Sequence, residues 1–298
     1  MTISLIGIGI WGWTPDKSWD DLEARYIDDP ADMMTVLGNQ MHVRDRGPTN
    51  ALAVILIHGF GSSLHTFEGW SEQLKSDFRV ISLDLPGSGL SRPDSNDDYS
   101  DERSIALIKD IMDQLGIERA TLAGNSIGGR ISWRFAGAHL ESVDKLVLIS
   151  PDGFASGGFE YGKAPDIPAM TGIMKYFLPR YLIEANLTPA HGDPSTMTPA
   201  MITRYHDLLI GPDTRQAVID RMAQTVLVDP VPILKTIQVP VLLLWGEKDK
   251  LIPASHAKDY LKVLADARTV ILPGLGHVPQ EEDPARSLEP VRAFLLEQ

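Results

Sequence analysis

The chain has 298 residues, 43% of them hydrophobic and 22% charged, which is the composition of a soluble globular protein with room for one large α/β domain or two small ones. A net charge of −13 with no basic run argues against a nucleic-acid partner, because phosphate binding needs clustered Lys and Arg. With no cysteine, disulfides, thiolate metal sites and a cysteine nucleophile are excluded, which is compatible with a reducing cytoplasm.

Residues 1–32 read as an N-terminal arm. Its apolar run ISLIGIGIWGW (3–13) is shorter than the roughly 20 residues that span a bilayer, and it lacks the basic start and small-residue cleavage site of a signal peptide. The run is expected to pack on the protein body or on a partner. A second reading is a peripheral membrane contact with Trp11 and Trp13 at the interface.

From residue 33 the pattern becomes regular. MMTVLGNQMHVRD predicts two short strands around a turn at Gly38-Asn39. ALAVILIH (51–58) is a continuous apolar run suited to a parallel strand buried on both faces. A Gly- and Ser-rich turn, a short amphipathic segment near 67–74 and a second buried strand, FRVISLD (78–84), follow. DLPGSGLSRPDSNDDY reads as a polar loop, and Ser100 or Asp101 is placed to cap a helix reaching about Leu115. Strand (119–124), helix (127–138) and strand (143–149) come next. This alternation predicts a mostly parallel sheet with helices on both faces.

The rhythm breaks between 153 and 232, a stretch rich in Pro, Met and aromatic residues: Phe154, Phe159, Tyr161, Met170, Met174, Tyr176, Phe177, Tyr181, Met197, Met201 and Tyr205. Its apolar positions fit short helices interrupted by prolines. Strands return at 239–246 and 267–274, and a last helix covers 284–296 with Pro284 in its first turn. The reading is a core of 33–152 and 233–298 with a helical lid, 153–232, inserted between two strands of its sheet.

Gly124-Asn125-Ser126-Ile127-Gly128 fits G-x-S-x-G with a strand before it and a helix after it, the setting in which that motif exposes a nucleophilic serine. A serine hydroxyl needs a base. His277, in the loop between the last strand and the last helix, is the candidate. The base needs an acidic partner to fix its tautomer. Asp249, after the strand 239–246, gives the order Ser…Asp…His; Asp152, after the strand 143–149, gives the same order and is the alternative acid. Asp249 is preferred because WGEKD closes a strong strand near the edge that leads to His277. Two backbone N–H groups must face the developing oxyanion, and Ile127 and Phe60, the latter within His58-Gly59-Phe60-Gly61, are the candidates.

With HGFG (58–61), DLPGSGLS (84–91), GNSIGG (124–129), WGEKD (245–249) and GLGHVPQEEDP (274–284) in this order, the chain resembles an α/β-hydrolase from about residue 33 to its C-terminus. Serine at the elbow, where dehalogenases and epoxide hydrolases of that family carry aspartate, points to acyl groups. GNSIGG also resembles the elbow of meta-cleavage-product hydrolases, which cut C–C bonds in dienoates. Lid arginines that would hold a substrate carboxylate are Arg180, Arg204, Arg215 and Arg221, each expected at the surface. The leading expectation is a cytoplasmic carboxylesterase acting on a medium-sized, moderately apolar small-molecule ester with no metal or organic cofactor. C–C hydrolysis is the runner-up, and a ligand receptor on the same fold is a third reading.

Overall fold

The computed structural model describes residues 13–155 and 160–297. Residues 3–12 of the apolar run and Phe159 lie outside the described residues. Among the described residues, one eight-stranded sheet runs in the order β1-β2-β4-β3-β5-β6-β7-β8. Its strands are β1 (Met33–Val36), β2 (Asn39–Arg46), β3 (Ala53–Ile57), β4 (Arg79–Leu83), β5 (Ala120–Asn125), β6 (Val143–Ile149), β7 (Val241–Gly246) and β8 (Ala267–Leu272). β1, β2 and β4 pair antiparallel, and every pair from β4 to β8 is parallel.

The central parallel strands have no solvent face, whereas the edge strand β8 is partly exposed. β3, β4, β5 and β7 are buried at every position, as strands covered by helices on both sides must be, and β3 and β7 are nearly continuous apolar runs. On one side lie α3 (Asp101–Gln114) and α4 (Ile127–Ala138), whose Ile108, Ile111, Ile131 and Phe135 join one core cluster. On the other, α2 (Glu68–Leu74) and α11 (Pro284–Leu296) bring Trp70, Leu74, Leu288 and Phe294 into a second. Ser100 caps α3 by accepting from the Arg103 N–H.

One local expectation is corrected, and two features were not anticipated. The first hairpin turns at Leu37-Gly38, one residue early; both have positive φ (45° and 82°), the conformation a tight two-residue turn between twisted strands demands. The arm contains a helix, α1 (Trp19–Tyr26), capped by Ser18 and anchored by the fully buried Leu22. The loop that opens at Asp84 is polar in sequence, yet residues 84–91 are all buried.

Between β6 and β7 the described residues contain helices and turns but no strand: α5 (Arg180–Leu187), α6 (Pro199–Leu209), α7 (Thr214–Gln224) and α8 (Val231–Leu234). The segment keeps a small core of its own, Leu178, Ile183, Tyr205 and Ile210, with Met174 and Met201 packed against it. After β7 come α9 (Ala257–Leu261) and, beyond β8, α10 (Pro279–Glu282).

Candidate active site

The chain leaves β5 at Asn125 and enters α4 at Ile127, so Ser126 makes the whole change of direction. Its backbone takes φ 55° and ψ −118°, a region that side-chain-bearing residues rarely adopt. Neighbouring bonds hold it there: the Ser126 N–H donates to Ile149 O (3.0 Å), and Ser126 O accepts from the N–H groups of Asp152 (3.0 Å) and Arg130 (3.1 Å). The glycines make the close approach sterically permissible. A Cβ on Gly128 would overlap the carbonyl oxygens of Ile57 and His58, so α4 sits against the end of β3 only because none is present. Gly128→Ala is therefore expected to destabilise the fold by about 3 kcal/mol or more, read as a loss of denaturation midpoint. Asn125 and Ile127 are buried, whereas Ser126 stays partly open at the carboxyl end of the sheet.

Two loops from the same end of the sheet meet nearby. The Nδ1 of His277, in the loop after β8, lies 2.8 Å from Asp249 Oδ2, in the loop after β7. An ionised carboxylate only accepts, so Nδ1 carries the proton and Nε2 is left as the basic nitrogen. The other oxygen, Asp249 Oδ1, accepts from the N–H groups of Leu251 and Ile252, each at 2.9 Å. Burial pushes the Asp249 carboxyl up, but the His277 ring and the Ile252 N–H outweigh it and hold the carboxyl below its ordinary value. Asn125 ties the pair to the elbow, since its amide donates to His277 O (2.9 Å) and to Ile149 O (3.2 Å). Asp152 points elsewhere: its carboxylate pairs with Arg130, which also binds Asp101, and its carbonyl accepts from Trp133 and Tyr260.

Ile127 supplies the first N–H of α4, where a helix has no acceptor of its own to offer. Phe60 sits in the turn after β3, with its side chain 41% exposed. Gly59, just before it, lies directly against the elbow, where an added Cβ would be 3.3 Å from Ser126 Cβ. That turn is held from behind by groups that sequence reasoning passed over. The buried His58 ring accepts from the Leu85 N–H (3.0 Å) and reaches Gly59 O (2.7 Å), and desolvation lowers its pKa, keeping it neutral at pH 7. Asp84, fully buried, accepts from Leu64 N–H (2.6 Å), Leu90 N–H (2.9 Å) and His42 Nδ1 (2.7 Å). The available signal was DLPG itself, an aspartate ending a buried strand beside the HG turn.

The insertion between β6 and β7 is fastened to the His277 loop. The His277 N–H donates to Ala190 O (2.7 Å). Glu282 accepts from Gly276 N–H (2.8 Å), Gly192 N–H (3.0 Å) and Asp193 N–H (2.8 Å), so one carboxylate binds both segments. Tyr205 donates to Glu281 at 2.6 Å, and Arg204 pairs with the same carboxylate. The four arginines of the insertion are engaged within the chain: Arg180 with Thr203, Arg204 with Glu281, Arg215 with Asp16, and Arg221 with the carbonyls of Pro86 and Tyr99. Arg215 and Arg221 are buried, against the surface placement expected of them. Burial lowers the Arg221 pKa to about 10. Among the described residues, no group of three or more His, Asp or Glu side chains is placed to hold a metal ion.

Residues 54–289 match the model of the "Alpha/beta hydrolase family". The chain belongs to the alpha/beta hydrolases. An uncharacterized protein of Mycobacterium tuberculosis is 30% identical over 259 residues, covering 82% of this chain and 75% of that protein. A 2-hydroxy-6-oxononadienedioate/2-hydroxy-6-oxononatrienedioate hydrolase of Pseudomonas putida is 26% identical over 260 residues, covering 82% of this chain and 87% of its own. Among solved structures, a carboxylesterase of Bacillus subtilis superposes with a TM-score of 0.72 at 23% identity, covering 93% of this chain and 95% of that one. The family supports a hydrolase, and the proteins this chain is similar to include both a carboxylesterase and a 2-hydroxy-6-oxononadienedioate/2-hydroxy-6-oxononatrienedioate hydrolase.

Proposed function

We propose that this alpha/beta hydrolase cleaves carboxylic esters of moderately apolar, small-molecule substrates through an acyl-enzyme on Ser126. The observation that carries the reading is the strained, partly open Ser126 together with a His277 that Asp249 holds by Nδ1 and whose carbonyl accepts from Asn125, the residue before Ser126. In this mechanism His277 Nε2 takes the Ser126 proton as Oγ attacks the ester carbonyl. The N–H groups of Phe60 and Ile127 hold the oxyanion. The tetrahedral intermediate collapses as His277 passes its proton to the leaving alcohol. Water then gives a proton to His277 as its oxygen adds to the acyl carbon, and the second tetrahedral intermediate collapses as His277 passes that proton to Ser126 Oγ, which releases the acid and regenerates the hydroxyl. The residues 153–232 act as a lid over this site. Asp152 serves Arg130 and the elbow backbone rather than the imidazole.

Ester cleavage is preferred over C–C hydrolysis because Arg204 and Arg215 are paired with the chain's own carboxylates and Arg221 is buried on the carbonyls of Pro86 and Tyr99, which leaves only the exposed Arg180, of the insertion's four arginines, to receive a dienoate carboxylate. A short-chain p-nitrophenyl ester and a 2-hydroxy-6-oxo-dienoate, assayed side by side, separate the readings. Turnover of the ester at least 100-fold above that of the dienoate, as kcat/KM, is the expected result. The reverse ranking assigns C–C hydrolysis, and binding without turnover of either assigns a receptor.

A further inference from the structure

The loop that carries His277 is fixed along its backbone at consecutive groups. The Gly276 N–H donates to Glu282 Oε2 (2.8 Å), the His277 N–H donates to Ala190 O (2.7 Å), and His277 O accepts from the Asn125 amide (2.9 Å). Only the last of these bonds comes from the elbow. Glu282 makes the first directly. It also governs the second, because it accepts from the N–H groups of Gly192 (3.0 Å) and Asp193 (2.8 Å), which follow Ala190 in the insertion.

The two segments approach as closely as glycine allows. A Cβ on Gly192 would lie 2.2 Å from Gly274 O, and one on Gly276 would lie 2.4 Å from Ala190 O. His191, between Ala190 and Gly192, is fully buried, with Nδ1 3.1 Å from Leu187 O, so residues 190–193 form a seat anchored in the insertion itself. Glu282 closes α10 and is buried as well. A buried carboxylate is costly unless it is hydrogen-bonded. Its two oxygens take three backbone N–H groups, two from the seat and one from the base's own loop, so a single side chain joins both.

We infer that Glu282 is a positioning residue for His277, and that it makes the seating of residues 190–193 a condition for correct placement of the imidazole. Asp249 sets the ring through Nδ1 at 2.8 Å, but that bond forms only where the loop after β8 is carried to the loop after β7. Without Glu282, the N–H groups of Gly276, Gly192 and Asp193 lose their acceptor and the seat separates from the loop. The imidazole, no longer fixed at its own peptide, loses the alignment that proton transfer from Ser126 requires. A misplacement of about 1 Å at a reacting group can cost about 10²-fold in rate. The inference rests on the proposed role of His277 as the base on Ser126, and not on which bond of the substrate is cut.

The experiment compares the wild type with Glu282→Ala and with Gly192→Ala, which displaces the seat from the insertion side through its overlap with Gly274 O. The first readout is one-dimensional proton NMR, in which an imidazole Nδ1 proton bonded to a carboxylate resonates far downfield of the amides. The His277 signal is identified by its loss in Asp249→Asn, and the His42 proton on Asp84 (2.7 Å) gives an internal reference. The second readout is the rate at which a p-nitrophenyl alkylphosphonate labels Ser126, a step that needs the base whatever the natural substrate is. Both variants are expected to shift or broaden the His277 signal, leave that of His42 in place, and slow labelling by about tenfold or more. On a short-chain ester, kcat should fall by the same factor with KM within about threefold. Each variant should still unfold in one cooperative transition; if Glu282→Ala does not fold, Gly192→Ala and Glu282→Gln carry the test. A wild-type His277 signal and labelling rate in the variants overturn the inference. Loss of the His42 signal together with that of His277 also overturns it, since Glu282 then serves the fold as a whole. A wild type that is labelled at Ser126 but cleaves no ester overturns the ester reading alone, and the signal and labelling rate still decide the inference. A wild type that is not labelled overturns the role of His277 and the inference with it.

Discussion

Ser126→Ala is expected to lower kcat for a short-chain ester by about 10⁵-fold or more, because without the hydroxyl no acyl-enzyme forms and only oxyanion stabilisation and binding remain. The fold should hardly change. No hydrogen bond of the Ser126 side chain maintains the elbow; its backbone N–H and carbonyl do so, through Ile149, Asp152 and Arg130. Alanine keeps those bonds and suffers the same strain at φ 55°. Ser126→Gly separates strain from chemistry. It should be equally inactive, yet more stable than the alanine variant by about 1 kcal/mol, since glycine accepts a positive φ without a Cβ clash. Thermal denaturation beside the ester assay reads both. Activity retained in Ser126→Ala would move the nucleophile elsewhere and end the proposed mechanism.

Asp249→Asn is expected to reduce kcat by about 10⁴-fold, with little change in KM. The asparagine oxygen can still accept from Leu251 and Ile252, so the loop is kept, but its amide cannot hold the His277 Nδ1 proton as a carboxylate does. Asp152→Asn should leave kcat within about threefold, because Asp101 remains to pair with Arg130. A large loss in Asp152→Asn alone would reverse the assignment of the acid. The depressed carboxyl of Asp249 also has a consequence for stability. Its folded pKa lies below the unfolded one, so its ionised form stabilises the native state above the ordinary carboxylate range. That contribution is lost as pH falls through the folded value. Wild type should therefore lose part of its stability advantage over Asp249→Asn on acidification, measurable as converging denaturation midpoints.

The elements that were readable along the chain are those specified by contacts within a few residues. β3 and β7 announce themselves as unbroken apolar runs, and α4 was placed at its observed bounds because the glycines around Ser126 require a strand-to-helix turn. The same locality made Ser126, Ile127 and the HGFG turn visible as candidates. Composition misled where a distant partner supplies what the local sequence lacks. Residues 84–91 look like a solvated loop, but Asp84 gathers backbone donors from Leu64 and Leu90 and draws the loop under the HG turn. Arg215 and Arg221 look like surface cations, yet Asp16, nearly 200 positions earlier, and the carbonyls of Pro86 and Tyr99 receive them in the interior.

Before any folding, then, the order of motifs was enough to name a hydrolase fold and a short list of site residues, since each motif carries its own backbone demand. At that level Asp249 was preferred as the partner of His277 but Asp152 stayed an alternative, because both follow a strand and precede the histidine. Tertiary structure decided it. β7 lies between β6 and β8, and the loop after β7 brings Asp249 to Nδ1 at 2.8 Å while Arg130 claims Asp152. Spacing likewise left open whether the side of the insertion that carries Met170, Ile173 and Tyr176 is covered. Only the packing of Met174 and Leu178 on the other side revealed that it faces outward. The physical reason is common to both cases: spacing along a chain sets which residues share a face, but the element that covers the face is chosen by segments far away in sequence.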